Sequence, residues 1–92
     1  MITLEVTNKS ITANGHAKEQ LICNSVSVLL WGLCVSLDHA GAYDLEVSED
    51  DGYQQVIYTP TEKTAPIFNG VVEALRRLAG NFPTEVKIFE KK

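Results

Sequence analysis

Met1 to Val6 sets Ile2, Leu4 and Val6 against Thr3 and Glu5, a period of two that predicts a half-buried strand. Asn8-Lys9 suits a turn, and Ser10 to Ala13 gives a second short strand. Asn14-Gly15 is a turn or breaker signal, and His16 follows it directly. From about Lys18 the period changes. Apolar residues from Leu21 to Leu37, among them Val26, Leu30, Trp31 and Leu33, lie on nearly all sides of one helix. Such a helix must be buried on more than one face, either central to the domain or part of a dimer interface. Gly41 lies just beyond its end, as a helix stop should. Tyr43 to Ser48 alternates again, with Tyr43, Leu45 and Val47 on one side. Glu49-Asp50-Asp51-Gly52 reads as a polar turn, and Tyr53 to Thr59 completes a hairpin that Pro60 ends. A second helix is predicted from near Lys63 or Pro66 to Ala79, with Ile67, Val71, Leu75 and Leu78 on its apolar face. Gly80-Asn81 should stop it, and Thr84 to Phe89 forms a last strand. The order β-β-α-β-β-α-β with an antiparallel hairpin predicts an α+β fold, a mixed or antiparallel sheet packed with two helices.

Length and composition narrow this further. Ninety-two residues make one small domain, residues 1–92, with room for a single core between two layers. A 45% hydrophobic and 22% charged composition is that of a globular chain and argues against disorder. The formal charge of −4 comes with only two basic pairs, Arg76-Arg77 and Lys91-Lys92. Nucleic-acid binding needs clustered basic residues and is disfavoured, whereas an acidic surface tolerates a basic peptide partner. The chain opens on a strand pattern with no signal peptide, and Asn24, Ser25, Ser27, Gly32 and Ser36 interrupt its longest apolar stretch. No membrane span and a reducing cytoplasm are therefore expected. Cys23 and Cys34 share one helix about 16 Å apart, too far for a disulfide between them.

The candidate chemistry sits at the start of that helix. Gly15-His16-Ala17 is followed, after a short gap, by Leu21-Ile22-Cys23. A thiol there meets the positive end of the helix dipole and unpaired N–H groups, which favour thiolate. A preceding His can pair with it and later protonate a leaving amine. Nucleophile, base and N–H donors then converge as acyl transfer requires. The bland alternative is that Cys23 is a small buried hydrophobe and His16 an ordinary loop residue. Cys34, mid-helix between Leu33 and Val35, reads as core. His39, in Leu37-Asp38-His39-Ala40-Gly41, suits the helix C-terminus, where a cation is favoured. Asp50-Asp51 reads as a solvated turn. Cys23, Cys34, His16 and His39 lack the spacing of a metal site, and no cofactor motif is present.

Gly15-His16-Ala17, a gap, and Leu21-Ile22-Cys23-Asn24-Ser25-Val26-Ser27 resemble the pattern of the ribosomal-processing cysteine proteases: Gly-His-Ala, a loop, and an Ile-Val-Cys-small-small-Val-Ser helix start. The Met1-Ile2-Thr3 opening, Phe82-Pro83 and Val86-Lys87-Ile88 extend the resemblance over most of the chain. It implies a thiol protease with Cys23 as nucleophile and His16 as base, and no cofactor or metal. The implied substrate is the N-terminal extension of a large-subunit ribosomal protein, cut at an apolar, aromatic-rich motif, or a related phage capsid protein. The implied assembly is a homodimer. The sequence departs from the pattern in three places. The gap Ala17 to Ile22 is shorter, Gln20 stands where the family has an acid, and Asn24 follows the cysteine in place of Ala. A shorter loop should close over less of a bound peptide and discriminate less among its flanking residues. The alternative reading is a non-catalytic, dimeric peptide-binding relative of the same fold.

Overall fold

The structure is a computed structural model and describes residues 1–91; Lys92, half of the terminal basic pair, lies outside the described residues. Its elements are β1 (Ile2–Val6), β2 (Ser10–Gly15), α1 (Gln20–His39), β3 (Tyr43–Asp50), β4 (Tyr53–Thr59), α2 (Ala65–Asn81) and β5 (Val86–Glu90). They follow the predicted order in one α+β domain. The strands form a single mixed sheet in the order β3-β4-β2-β1-β5. Only β1 and β5 pair parallel, and the other neighbours run antiparallel.

One side of this sheet carries the core. Ile2, Leu4 and Val6, Ile11 and Ala13, Val56 and Tyr58, and Val86 are buried on it. Their alternation is the period-two pattern read from the sequence. α1 contributes Ile22, Val26, Leu30, Leu33 and Leu37, and α2 contributes Phe68, Val72, Leu75 and Ala79. The Tyr58 and Phe68 rings meet at 5.1 Å between centroids. The Tyr58 hydroxyl is buried with no hydrogen-bond partner among the described residues, and burial raises its pKa above the ordinary tyrosine value.

Four expectations change. First, α1 buries one stripe within the chain rather than several faces, and Leu21, Val28, Trp31 and Val35 remain exposed. Its length and composition would suffice to cross a membrane, but its buried stripe is the core of this domain. Second, Cys34 lies beside that stripe and is half-buried rather than core. Third, the buried face of α2 is rotated by one residue: Phe68 and Val72 are buried, while Ile67 and Val71 pack at its margin. α2 ends at Asn81, at the expected Gly80-Asn81 stop and two residues past Ala79, with the Phe82 N–H bonded to the Leu78 carbonyl. Fourth, β3 loses its alternation at a register shift between Tyr43 and Glu46, where Asp44 has φ 54°. Tyr43 and Val47 consequently face solvent at the sheet edge.

Candidate active site

The site forms where β2 ends, α1 begins and the β3–β4 hairpin turns. The β2–β4 ladder pairs Ala13 with Gln54 and Asn14 with Tyr53, so the hairpin tip is drawn beside the end of β2. The Gly15 N–H then donates to the Gly52 carbonyl at 2.8 Å, joining the two segments across their tips. Gly15 has φ 98° and Gly52 φ 66°, conformations that a residue with a Cβ rarely adopts. These glycines release the chain from the sheet at the point where His16 leaves it.

The gap between His16 and Cys23 is shorter in space than in sequence, because α1 begins at Gln20. Only Ala17, Lys18 and Glu19 lie outside regular structure. That link is tied down at three points. The Met1 ammonium donates to the His16 carbonyl at 2.6 Å, and the Lys18 N–H to the Glu85 carboxylate at 2.7 Å. The Ala17 N–H donates to Cys23 Sγ at 3.2 Å, and the thiol in turn reaches the Ala17 carbonyl at 3.7 Å. Cys23 is thus half-buried in the first turn of α1, with a backbone donor aimed at its sulfur.

His16 and Cys23 line one cleft of about 190 Å³. Gln20, Asn24 and Ser27 of α1 lie along one side of it, and Glu49, Asp50 and Asp51 form an acidic rim on the other. His16 Nε2 faces the Asp51 carboxylate at 3.6 Å, and both side chains are mostly exposed. At that distance and exposure the two groups make no hydrogen bond and the pair contributes little. No hydrogen bond joins His16 to Cys23 among the described residues. His39 ends α1 at its far end from the cleft, in the C-terminal position expected of it. Among the described residues no group of three or more His, Cys, Asp or Glu side chains is arranged to hold a metal ion.

Two cleft residues were not singled out from the sequence. Asp51 reads in the sequence as a solvated turn residue; it is exposed, yet it faces His16. Gln54 occupies an inward position of β4, in the row of Val56 and Tyr58, where an apolar residue would be usual. It is only 5% exposed, and its Nε2 has no hydrogen-bond partner among the described residues. Leaving a buried amide donor unpaired costs about 1–3 kcal/mol. The only sequence signal for either residue is polarity at a position that the strand pattern turns toward the site.

The imidazole rests directly against Gly52. A Cβ added there would lie 2.7 Å from His16 Nε2, so the ring would have to move. We expect Gly52→Ala to shift the His16 side-chain NMR resonances while leaving those of Trp31 in place. The backbone penalty should lower stability by about 1–2 kcal/mol in a urea titration. Unmoved His16 resonances would show that the ring does not hold this position in solution.

No protein-family model matches the chain, and no curated protein matches its sequence. Solved structures match it closely in fold. The ribosomal processing protease Prp from S. aureus, in complex with a substrate peptide, superposes with a TM-score of 0.87 at 15% identity, covering 99% of this chain and 100% of that one. The same protease with a covalently linked product peptide gives a TM-score of 0.85 at 18% identity, with the same coverage. SMU.848 from Streptococcus mutans gives 0.74 at 26% identity, covering 98% of this chain and 93% of that one. The chain has, over nearly its whole length, the fold of the ribosomal processing protease Prp.

Proposed function

We propose that the chain is a cysteine endopeptidase in which Cys23 is the nucleophile and His16 the base. The observation that carries this reading is the convergence of His16 and Cys23 on one cleft at the start of a core helix, in a chain with the Prp fold. The Cys23 thiolate attacks the scissile carbonyl and forms a tetrahedral oxyanion. The positive end of the α1 dipole favours that negative charge. His16 gives its proton to the departing amine, leaving a thioester on Cys23. It then takes a proton from the water that attacks this thioester, so that the acid is released and the thiolate–imidazolium pair is restored.

The substrate class we infer is an extended segment of a protein with apolar and aromatic side chains, such as the N-terminal extension of a large-subunit ribosomal protein or a related phage structural protein. The carboxylates of Glu49, Asp50 and Asp51 on the cleft rim favour a segment with basic flanks. The compartment proposed is the cytoplasm. The test is thiol labelling. Iodoacetamide at pH 6 should modify Cys23 well before Cys34, with the site identified by mass spectrometry. Equal, slow labelling of both would sink the nucleophile assignment. Because both thiols are half-buried, accessibility alone predicts no large difference between them.

A second reading has an observation of its own. Cys23 Sγ bonds to the Ala17 backbone and not to His16. A non-catalytic peptide-binding relative would need no more than this. Cleavage assays separate the two readings, because both bind peptide and only one turns it over.

We further propose a two-fold homodimer built on the exposed apolar side of α1. Leu21, Val28, Trp31 and Val35 expose 72%, 57%, 49% and 56% of their surface, too much apolar area to leave facing water without a partner. Trp31 is the natural anchor, since aromatic residues dominate interface cores. Light scattering at high micromolar concentration should report a dimer, and Trp31→Glu should yield a folded monomer. A monomeric unsubstituted protein would remove this assembly.

A further inference from the structure

We propose that Gln54 is a substrate-positioning residue whose side-chain amide hydrogen-bonds the main chain of a peptide lying in the His16–Cys23 cleft. The inference rests on the protease reading and assigns a group to the peptide backbone within it. Three observations converge. Gln54 lines the same cleft as His16 and Cys23. It is 95% buried, by its 5% exposure, and its Nε2 finds no partner among the described residues. Nε2 is itself closed to solvent, so the amide serves a ligand by turning toward the cleft, and its strand neighbours do not hold it by a hydrogen bond. On β2 it pairs with Ala13, whose methyl group offers no hydrogen bond; on β3 it pairs with Glu49, whose side chain is exposed at the rim.

A carboxamide suits this task chemically. It carries both a donor and an acceptor, the same pair that a peptide unit presents, so it can bind a main-chain N–H or C=O whatever side chains flank it. It also stays neutral across the working pH range, so it does not perturb the proton transfers at His16. An apolar residue at this inward position would complete the core and lose the contact. Gln54 touches the substrate and not the reacting atoms, so its effect should fall mainly on binding.

The experiment uses the full chain and a fluorescently labelled, apolar, aromatic-rich peptide that the unsubstituted protein cleaves. Gln54→Met removes the amide and nearly conserves volume. Urea titration should show it at least as stable as the parent, because the buried unpaired donor is gone. KM should rise about tenfold with kcat changed much less, the scale of one lost hydrogen bond. Replacing each backbone carbonyl of the peptide by a thiocarbonyl in turn, a weaker acceptor, should identify one position that weakens binding to the Cys23→Ala protein and that costs nothing in a Cys23→Ala, Gln54→Met protein. Cleavage with an unchanged KM in Gln54→Met, or the absence of any thioamide position whose penalty disappears without Gln54, overturns the inference and leaves the protease reading standing. If no peptide is bound or cut by the unsubstituted protein, the protease reading falls first and this inference with it.

Discussion

Cys23→Ser should abolish peptide cleavage, lowering kcat/KM by at least about 10⁴-fold, while the folded state survives almost unchanged. The two side chains differ by one atom, and Cys23 is half-buried on α1 rather than wedged into the core, so little packing is lost. The Ala17 N–H that donates to the sulfur can donate equally to a serine oxygen. Serine lacks thiolate chemistry, and a hydroxyl in the same place has no comparable nucleophile to offer. Removing the base should cost less. His16→Ala is expected to lower cleavage by about 10²–10⁴-fold, the usual range for a general base. Circular dichroism should be near native for both variants, since His16 is mostly exposed. Full cleavage by Cys23→Ser would eliminate the assigned nucleophile. Full cleavage by His16→Ala would require another base.

The second large effect is expected on stability, at Gly15→Ala. Gly15 has φ 98°, outside the region that an L side chain tolerates easily. A Cβ there would also overlap the Met1 carbonyl oxygen, a backbone atom directly preceding Ile2, which pairs with Gly15 in the β1–β2 ladder. The dihedral penalty alone is about 1–3 kcal/mol, and the overlap adds to it. For a domain of this size, a loss of about 3 kcal/mol should lower Tm by roughly 12–24 °C. Gly70→Ala is the matched control. It lies in α2 at ordinary φ with nothing near its added Cβ, and should stabilise the protein by about 0.5–1 kcal/mol. If Gly15→Ala melts with the unsubstituted protein, the tight link between β1 and the end of β2 does not exist in solution.

Sequence patterning located the elements well where one signal dominated. Tyr53 to Thr59 was readable as β4 from its alternation, and its bounds agree with the structure. The order of elements followed from changes of period. It failed where neighbouring residues carried equal signals. On α2, Ile67 and Phe68 are both apolar and 100° apart, so only packing against the sheet decides that Phe68 is buried. On β3, a register shift broke the alternation that Tyr43, Leu45 and Val47 implied.

The site was half-legible for a similar reason. His16 and Cys23 are close in sequence and flank a helix start, so their meeting at one cleft could be anticipated. Asp51 and Gln54 reach the same cleft only through the pairing of β4 with β2, which local pattern does not encode. Their polarity was visible, but what they face depends on that register.

That pairing also has a consequence for how the protein reaches its active form. β1–β2 and β3–β4 are each local hairpins that can close early, because short loops lose little entropy. β2–β4 must bring together segments separated by the whole of α1, and contacts of this range form slowly. His16 sits on one side of this seam and Asp51, Gly52 and Gln54 on the other. A partly folded chain holding both hairpins and α1 would therefore already have Cys23 in place, yet lack the acidic rim and the support beneath the imidazole. Under the proposed function, cleavage should then return during refolding together with the last long-range ladder, well after helical signal has recovered.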